Sequence, residues 1–513
     1  MFFTDSLKID IIGIFLALAI ALLTWHKWTL GYWKRKGVPG PEPALIFGNV
    51  KDLFMGKKTI GENYKRMYFE LKSKGLRHGG GYFMGSPTYI PIDLEIVKSI
   101  LQNDFQHFHT HGVYYDEKID PLSANVFNLD GPKWKEIRSI VSPTFTAGKL
   151  RMMQPTIVEC SVVLDKILEE SAGKNPIDIR DIMNRFTIDV IGSVAFGLEI
   201  DSLRNPNNTF RVYGSKALEP TLSNILRYLP MVLLSVETLR KLKYSPLSAD
   251  LRHFFYNMVE STVKYREESK VVRKDFMNLL VELKNKPNSE NKETQGRLTL
   301  NDIAAQCFIF FIAGFETSAS TINFASYELA TNPDIQEKTR EEINRVLKKY
   351  NNELTYDAVM EMEYLERVIQ ETLRKYPPLQ YLFRRCTKNY KVPGEPGIEI
   401  EDGTIVMIPI LGIHYDPEYY TNPEKFDPDR FTEEEKRNRP PFSWLPFGEG
   451  PRICLGMRFG MIETKMGIIS LLRNFKITLN EKTVSPIRYS TTGLVATCKG
   501  GIWLDLEKIS AHN

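Results

Sequence analysis

Apolar positions along this chain follow unlike patterns, and each predicts a different element. The first is an unbroken run, IIGIFLALAIALL, from Ile11 to Leu23. With the residues as far as Trp28 it approaches the roughly 20 needed to cross a bilayer. Asp5, Lys8 and Asp10 precede it; Lys27, Lys34, Arg35 and Lys36 follow. Cations gather on the cytosolic side of membrane helices, so the run predicts an anchor with Met1 in the lumen and the rest in the cytosol. Trp25, Trp28, Tyr32 and Trp33 suit an interfacial aromatic belt. The flanks lack the basic leader and small-residue cleavage site of a removable signal. VPGPEP follows, and Pro39, Pro41 and Pro43 cannot continue a helix. The expected division is an anchor at 1–30, a basic and proline-rich linker at 31–43, and one folded domain at 44–513. Polar stretches at 285–296 and 432–441 read as surface loops.

The second pattern is a long helix. Thr299 and Asp302 form a capping box, no proline occurs from Leu300 to Thr331, and Pro333 closes the segment. Its middle, CFIFFIAGFETS, is apolar on nearly every face and so should cross an interior. Glu316 and Thr317 beside Gly314 break that rule, since buried polar groups need partners or a purpose. A packing glycine and a threonine bonded to its own helix would explain them equally well.

Two shorter helices are amphipathic. In YLERVIQETLRKYPP, Leu365, Val368, Ile369 and Leu373 share a face, and Glu371 and Arg374 form an i,i+3 pair. Arg430, in FDPDRF, is a candidate third partner. In GPKWKEIRSIVSPTF, Trp134 and Arg138 are four apart and share a face. An indole N–H and a guanidinium together could address an anion; an ordinary surface helix is the plainer reading.

Composition narrows the field. A net charge of +4 is too mild to argue for nucleic acid. Five scattered cysteines, at 160, 307, 386, 454 and 498, suit a reducing compartment and contain no Cys-x-x-Cys. HFHTH places His107, His109 and His111 at period two, but no carboxylate or cysteine pattern accompanies them, so a metal site is not expected there. Asn207 opens a glycosylation sequon that a cytosolic body would leave silent.

The remaining signal is PFGEGPRICLGMRFG, Pro446 to Gly460. Cys454 stands at a turn leading into a helical pattern, where backbone N–H groups and the helix dipole favour a thiolate. The glycines permit close backbone approach, and Arg452 offers a fork to a carboxylate. One thiolate, no second protein ligand and several anion donors suit a metal that brings its other ligands, as haem does. A lone cysteine is also commonly a small hydrophobe.

These segments together resemble the cytochrome P450 superfamily. Phe447-x-x-Gly450-x-Arg452-x-Cys454-x-Gly456 is similar to its haem-binding loop and AGFETS to its oxygen-activating motif. Glu371-x-x-Arg374, Pro428-Asp429-Arg430-Phe431 and Trp134-x-x-x-Arg138 complete the set, in family order. FRRCTKNYKVP and LPFGEGPRICLGMRFG most resemble insect microsomal members acting on xenobiotics. The resemblance implies a mainly α fold with small β-sheets, one haem domain and a transmembrane helix. It implies haem b, with Cys454 as the iron ligand and Trp134, Arg138, Ala313, Thr317, Arg384, Pro446, Phe447, Arg452 and Gly456 around it. Glu316 and Thr317 would be catalytic, steering protons to dioxygen; Glu371, Arg374 and Arg430 would be a structural network.

Electrons would come from NADPH through a separate reductase flavoprotein, with cytochrome b5 as a second donor, because the chain has no dinucleotide fingerprint. Lys135, Lys149, Arg151, Arg458 and Lys465 would steer that acidic partner. By the same analogy an apolar substrate would meet 108–127, 209–242, 308–317, 379–383 and 491–494. The residues expected to touch it are Phe108, Val113, Phe127, Phe311, Phe315, Leu379, Leu382 and Leu494. The implied activity is insertion of one oxygen atom into an apolar small molecule at the endoplasmic reticulum membrane, in xenobiotic metabolism or in hormone or fatty-acid oxidation. A haem-thiolate isomerase or dehydratase, and a silent haem or ligand carrier, are the rival classes.

Overall fold

The computed structural model describes residues 5–218, 221–285 and 298–509. Its architecture is helices around a central one, with small sheets at the side. The expected 32-residue helix forms over Leu300–Thr331 with both halves of its cap: Asp302 N–H donates to Thr299 Oγ1 at 3.1 Å, and Thr299 N–H to Asp302 Oδ2 at 2.9 Å. It packs on helices Ile179–Ile191, Ala249–Ser269, Glu363–Lys375 and Met457–Leu472. Gly314 serves that packing, since a Cβ there would lie 2.9 Å from Ile191 Cδ1.

The larger sheet runs, in spatial order, His78–Phe83, Ser86–Pro91, Ile405–Ile408, Leu382–Arg385. Its outer pairs are antiparallel and its middle pair parallel; Arg384 stands opposite Val406. A second core gathers on this sheet, separate from the helical core. The 432–441 stretch contains a short helix, Glu433–Asn438, with no buried residue. All but Asn285 of the 285–296 stretch lies outside the described residues.

The N-terminal helix spans Asp5–Thr29, about 38 Å at 1.5 Å per residue. Ile12, Ile14, Leu16, Leu18, Ile20 and Leu22 each expose more than half their surface, so nothing in the fold uses them. The stretch 31–43 differs from the spacer expected of it. Trp33 and Val38 are buried, Trp33 Nε1–H donates to the Gly81 carbonyl at 3.0 Å, and the Tyr32 hydroxyl donates to Glu401 at 2.8 Å. A short helix forms at Tyr32–Arg35, the proline-bearing residues 38–43 are not helical, and Trp33 anchors the stretch to the sheet.

One ion-pair network locks the helical half to the C-terminal loops. Arg374 and Glu371 are wholly buried and doubly bonded, at 2.7 and 2.9 Å. Arg374 also donates to the carbonyls of His414 and Pro423, while Glu371 accepts from Asp427 N–H. Arg430 Nε lies 3.4 Å from Glu371 without hydrogen-bond alignment; its Nη2 donates to Asn422 O instead. Breaking such a pair strands a charge in the core, at about 3–5 kcal/mol. Glu371→Ala should therefore cut the yield of folded protein severely and lower its melting temperature. Glu361→Ala, in the exposed pair with Lys349, should do neither. Equal thermal melts for the two variants would contradict this reading.

Candidate functional site

Between the central helix and the cysteine loop lies a cavity of about 280 Å³. Trp134, Arg138, Ala313, Thr317, Arg384, Pro446, Phe447, Arg452, Cys454 and Gly456 all line it. Four separate segments bring them there: the Gly131–Val141 helix, the central helix, the Leu382–Arg385 strand and the cysteine loop, which ends at Gly456 just before the Met457–Leu472 helix.

Local geometry explains the loop. Cys454 N–H donates to Phe447 O at 2.9 Å, folding the segment back on itself. Gly450 has φ +72°, and a Cβ there would fall 2.0 Å from the Leu101 carbonyl oxygen, so only glycine fits. Cys454 is exposed, and it lines the cavity. Burial pushes its thiol up, while the N–H groups of Gly456 and Met457 and the nearby Arg138 favour the thiolate. Coordination to a metal would deprotonate it outright.

The charges around the cavity lack counterparts. Arg138 donates to Ile453 O at 2.7 Å and Arg384 to Phe383 O at 2.8 Å. Arg452 donates to the carbonyls of His109, Val126, Phe127 and Leu129, and its guanidinium lies 4.0 Å from the Trp134 ring centroid. None of the three pairs with a carboxylate among the described residues. Burial brings Arg384 down to about 10 and Arg452 to about 9, directions that show cations held against their preference for water. Trp134 Nε1–H and Arg384 Nε–H are buried donors with no acceptor. These residues fit haem: a thiol on one side for the iron, and at the edge cationic and N–H donors waiting for two carboxylates.

The central helix supplies the other wall. Thr317 lines the cavity, and its hydroxyl donates to Ala313 O at 2.7 Å, leaving its lone pairs free. Glu316 does not line the cavity. Its carboxylate lies 3.9 Å from Arg180, and burial raises it to about 7. The two neighbours expected to act together thus face different ways, because adjacent helical side chains diverge by about 100°.

The expected substrate contacts divide. Phe127, Leu379 and Leu382 line the cavity. Phe108 does not: it is buried in the sheet-side core, edge-on to Tyr390 at 4.9 Å. Phe311 and Phe315, four residues apart, share the helix face away from the cavity; they stack at 5.1 Å, and Phe311 meets Phe196, Phe210 and Phe255. Val113 is half-buried off the cavity wall, and Leu494 is exposed. No described residue of 209–242 reaches the wall. Ile309 and Phe310 do, within the expected 308–317 stretch although not singled out, on the helix face shared with Ala313 and Thr317; Phe145 does too and went unforeseen. His111 lines the cavity too, although its histidine triplet carried no expected role.

Two of the cations expected to face a partner are otherwise engaged. Lys465 is buried, donating to the carbonyls of Val359 and Met362 and to Glu366. Arg151 is paired twice with Asp357, at 2.6 and 2.7 Å. Lys135 and Arg458 are exposed and Lys149 partly so.

Comparison with known proteins points the same way. A family model described as Cytochrome P450 matches residues 38–504. The chain is 42% identical over 497 residues to Cytochrome P450 6A1 of Musca domestica, covering 96% of each. It is 41% identical over 509 residues to Probable cytochrome P450 6a23 of Drosophila melanogaster, covering 98% of this chain and all of that one.

The raised Glu316 carboxyl makes a stability prediction. Between its unfolded value and about 7, the folded chain keeps a proton that the unfolded chain has lost, so this group costs stability as pH rises through that window. Glu316→Gln removes the cost. Its melting temperature relative to wild type should climb from pH 5 to pH 7.5 in thermal melts of the two proteins. A constant difference would refute the shift.

Proposed function

The chain belongs to the cytochrome P450 family and is a haem-thiolate monooxygenase, and we propose that it oxidises small apolar foreign compounds at the endoplasmic reticulum membrane. The observation that carries this reading is one cavity whose wall combines a cysteine and three guanidiniums lacking carboxylate partners with the apolar Phe127, Ile309, Phe310, Leu379 and Leu382. Haem supplies dioxygen chemistry when bound, its thiolate ligand favouring O–O cleavage.

The chain's own residues do the rest. Cys454 is the ligand; Arg138, Arg384, Arg452 and Trp134 hold the carboxylates. The Thr317 hydroxyl, its proton donated to Ala313 O, presents an acceptor at the cavity wall. Glu316, whose carboxyl burial raises to about 7, faces Arg180 away from that wall and would act on it only through intervening water. The apolar side chains exclude bulk water and select apolar ligands.

The exposed N-terminal helix supports membrane attachment, since its apolar surface has no partner in the fold. NADPH-derived electrons would enter from a flavoprotein reductase, and cytochrome b5 could serve as a second donor. Lys135, Lys149 and Arg458 are the cations left to meet an acidic surface.

Reconstitution with NADPH, a flavoprotein reductase and a panel of apolar insecticides and plant toxins tests the reading. Product should carry one atom from isotopically labelled dioxygen. Thr317→Ala should still bind haem and substrate, yet form more hydrogen peroxide and less product per NADPH. Product lacking the label would make the chain an isomerase or dehydratase; an unchanged peroxide ratio would remove Thr317 from proton handling.

A further inference from the structure

One buried amide on the central helix takes no part in the helix itself. Gln306 is 0% exposed and stands between Ala305 and Cys307, which are also buried. Ile309 and Phe310 follow it at helical spacing, so it continues the cavity-facing stripe by one turn. It does not line the cavity. Its one side-chain hydrogen bond among the described residues is to the backbone N–H of Val126, at 2.9 Å. A backbone N–H only donates, so the amide oxygen faces it. The amide nitrogen is buried and has no acceptor. An apolar side chain would avoid that cost, so the bond to Val126 is what the amide contributes.

Val126 and Phe127 both line the cavity, and each of their backbone polar groups is engaged. Their carbonyls accept from Arg452 at 3.1 and 3.3 Å. Phe127 N–H donates to Asn125 Oδ1 at 3.1 Å, and Val126 N–H to Gln306. Arg452 thus fixes the turn to the cysteine loop, and Gln306 fixes it to the central helix. The Phe127 ring stacks on His111 at 4.2 Å and meets Phe383 edge-on at 6.4 Å. Neither contact ties it to the helix that carries Ile309 and Phe310.

We propose that Gln306 is a positioning residue: by holding Val126 it sets how far Phe127 stands from the central helix, and so how much room an apolar ligand has. This rests on the reading of the cavity as a haem and substrate site. Without the amide oxygen the Val126 N–H is a buried donor with no partner, and the turn must shift to find one. Phe127 moves with the turn. Arg452 keeps the His109 and Leu129 carbonyls, so the cysteine loop stays in place.

The test uses the full-length, haem-loaded protein and two iron-binding probes, titrated by their shift of the Soret band. Imidazole reaches the iron alone; N-tritylimidazole also extends its phenyl rings to the cavity wall. Gln306→Met should weaken N-tritylimidazole about three- to tenfold, the span of one neutral hydrogen bond, and leave imidazole unchanged. Phe127→Ala should weaken the same probe, and adding Gln306→Met to it should cost nothing more, because the two act through one ring. Should Gln306→Met fail to load haem, Gln306→Asn, which keeps an amide but falls one methylene short of Val126, should show the same selective loss. Unchanged affinity for N-tritylimidazole in the Gln306 variant would overturn the proposal. So would equal weakening of both probes, or a loss that adds in full to that of Phe127→Ala. Wild-type protein that takes up no haem, and so gives no imidazole shift, would instead overturn the assignment of the cavity.

Discussion

The fold closes around positive charge that it does not neutralise. Arg138, Arg384 and Arg452 are brought from a helix, a strand and a loop to one cavity, and none meets a carboxylate there. Buried cations without partners are costly, and the chain tolerates them because backbone carbonyls and the Trp134 ring take part of the load. The rest of the balance comes from outside the chain. Haem would answer all of it at once, since the same molecule carries two carboxylates for the guanidiniums and a metal for Cys454. On that reading, binding the cofactor would be part of folding this site.

That dependence orders the other features. The central helix must be straight and close-packed to form one wall, and Gly314 lets the Ile179–Ile191 helix approach it. The cysteine loop must turn tightly enough to present sulfur, which Gly450 allows at a position where any side chain would strike Leu101. Glu371 and Arg374 take no part in the cavity. They pin the helix before the Leu382–Arg385 strand to the loops before the cysteine, which keeps Arg384 and Arg452 in register.

Much of this was legible in residue order, for identifiable reasons. Capping box, proline stops and apolar run located the central helix to the residue, because those signals are local. Cys454, Arg452, Trp134 and Arg138 were legible because their chemistry is unusual at their spacing. What failed was direction. Phe311 and Phe315 read as pocket residues by family analogy, yet their helix face belongs to the core; Glu316 and Thr317 read as a pair, yet point apart. Lys465 read as a surface cation, yet the Met362 and Val359 carbonyls hold it inside. His111 fell within the expected 108–127 stretch but was not singled out, because its neighbours in space come from residues 384 and 452, far away in sequence. Burial and facing depend on tertiary partners, which a period along one segment does not name.

The claim on which everything else rests is that Cys454 is the iron ligand in this cavity. The most direct test is the absorption spectrum of the dithionite-reduced protein under carbon monoxide. The wild type should show the red-shifted Soret band of thiolate-ligated haem, and Cys454→Ser, prepared in the same way, should lose it. A variant that kept the red-shifted band would contradict the assignment, because another group would then be supplying the thiolate's electron density.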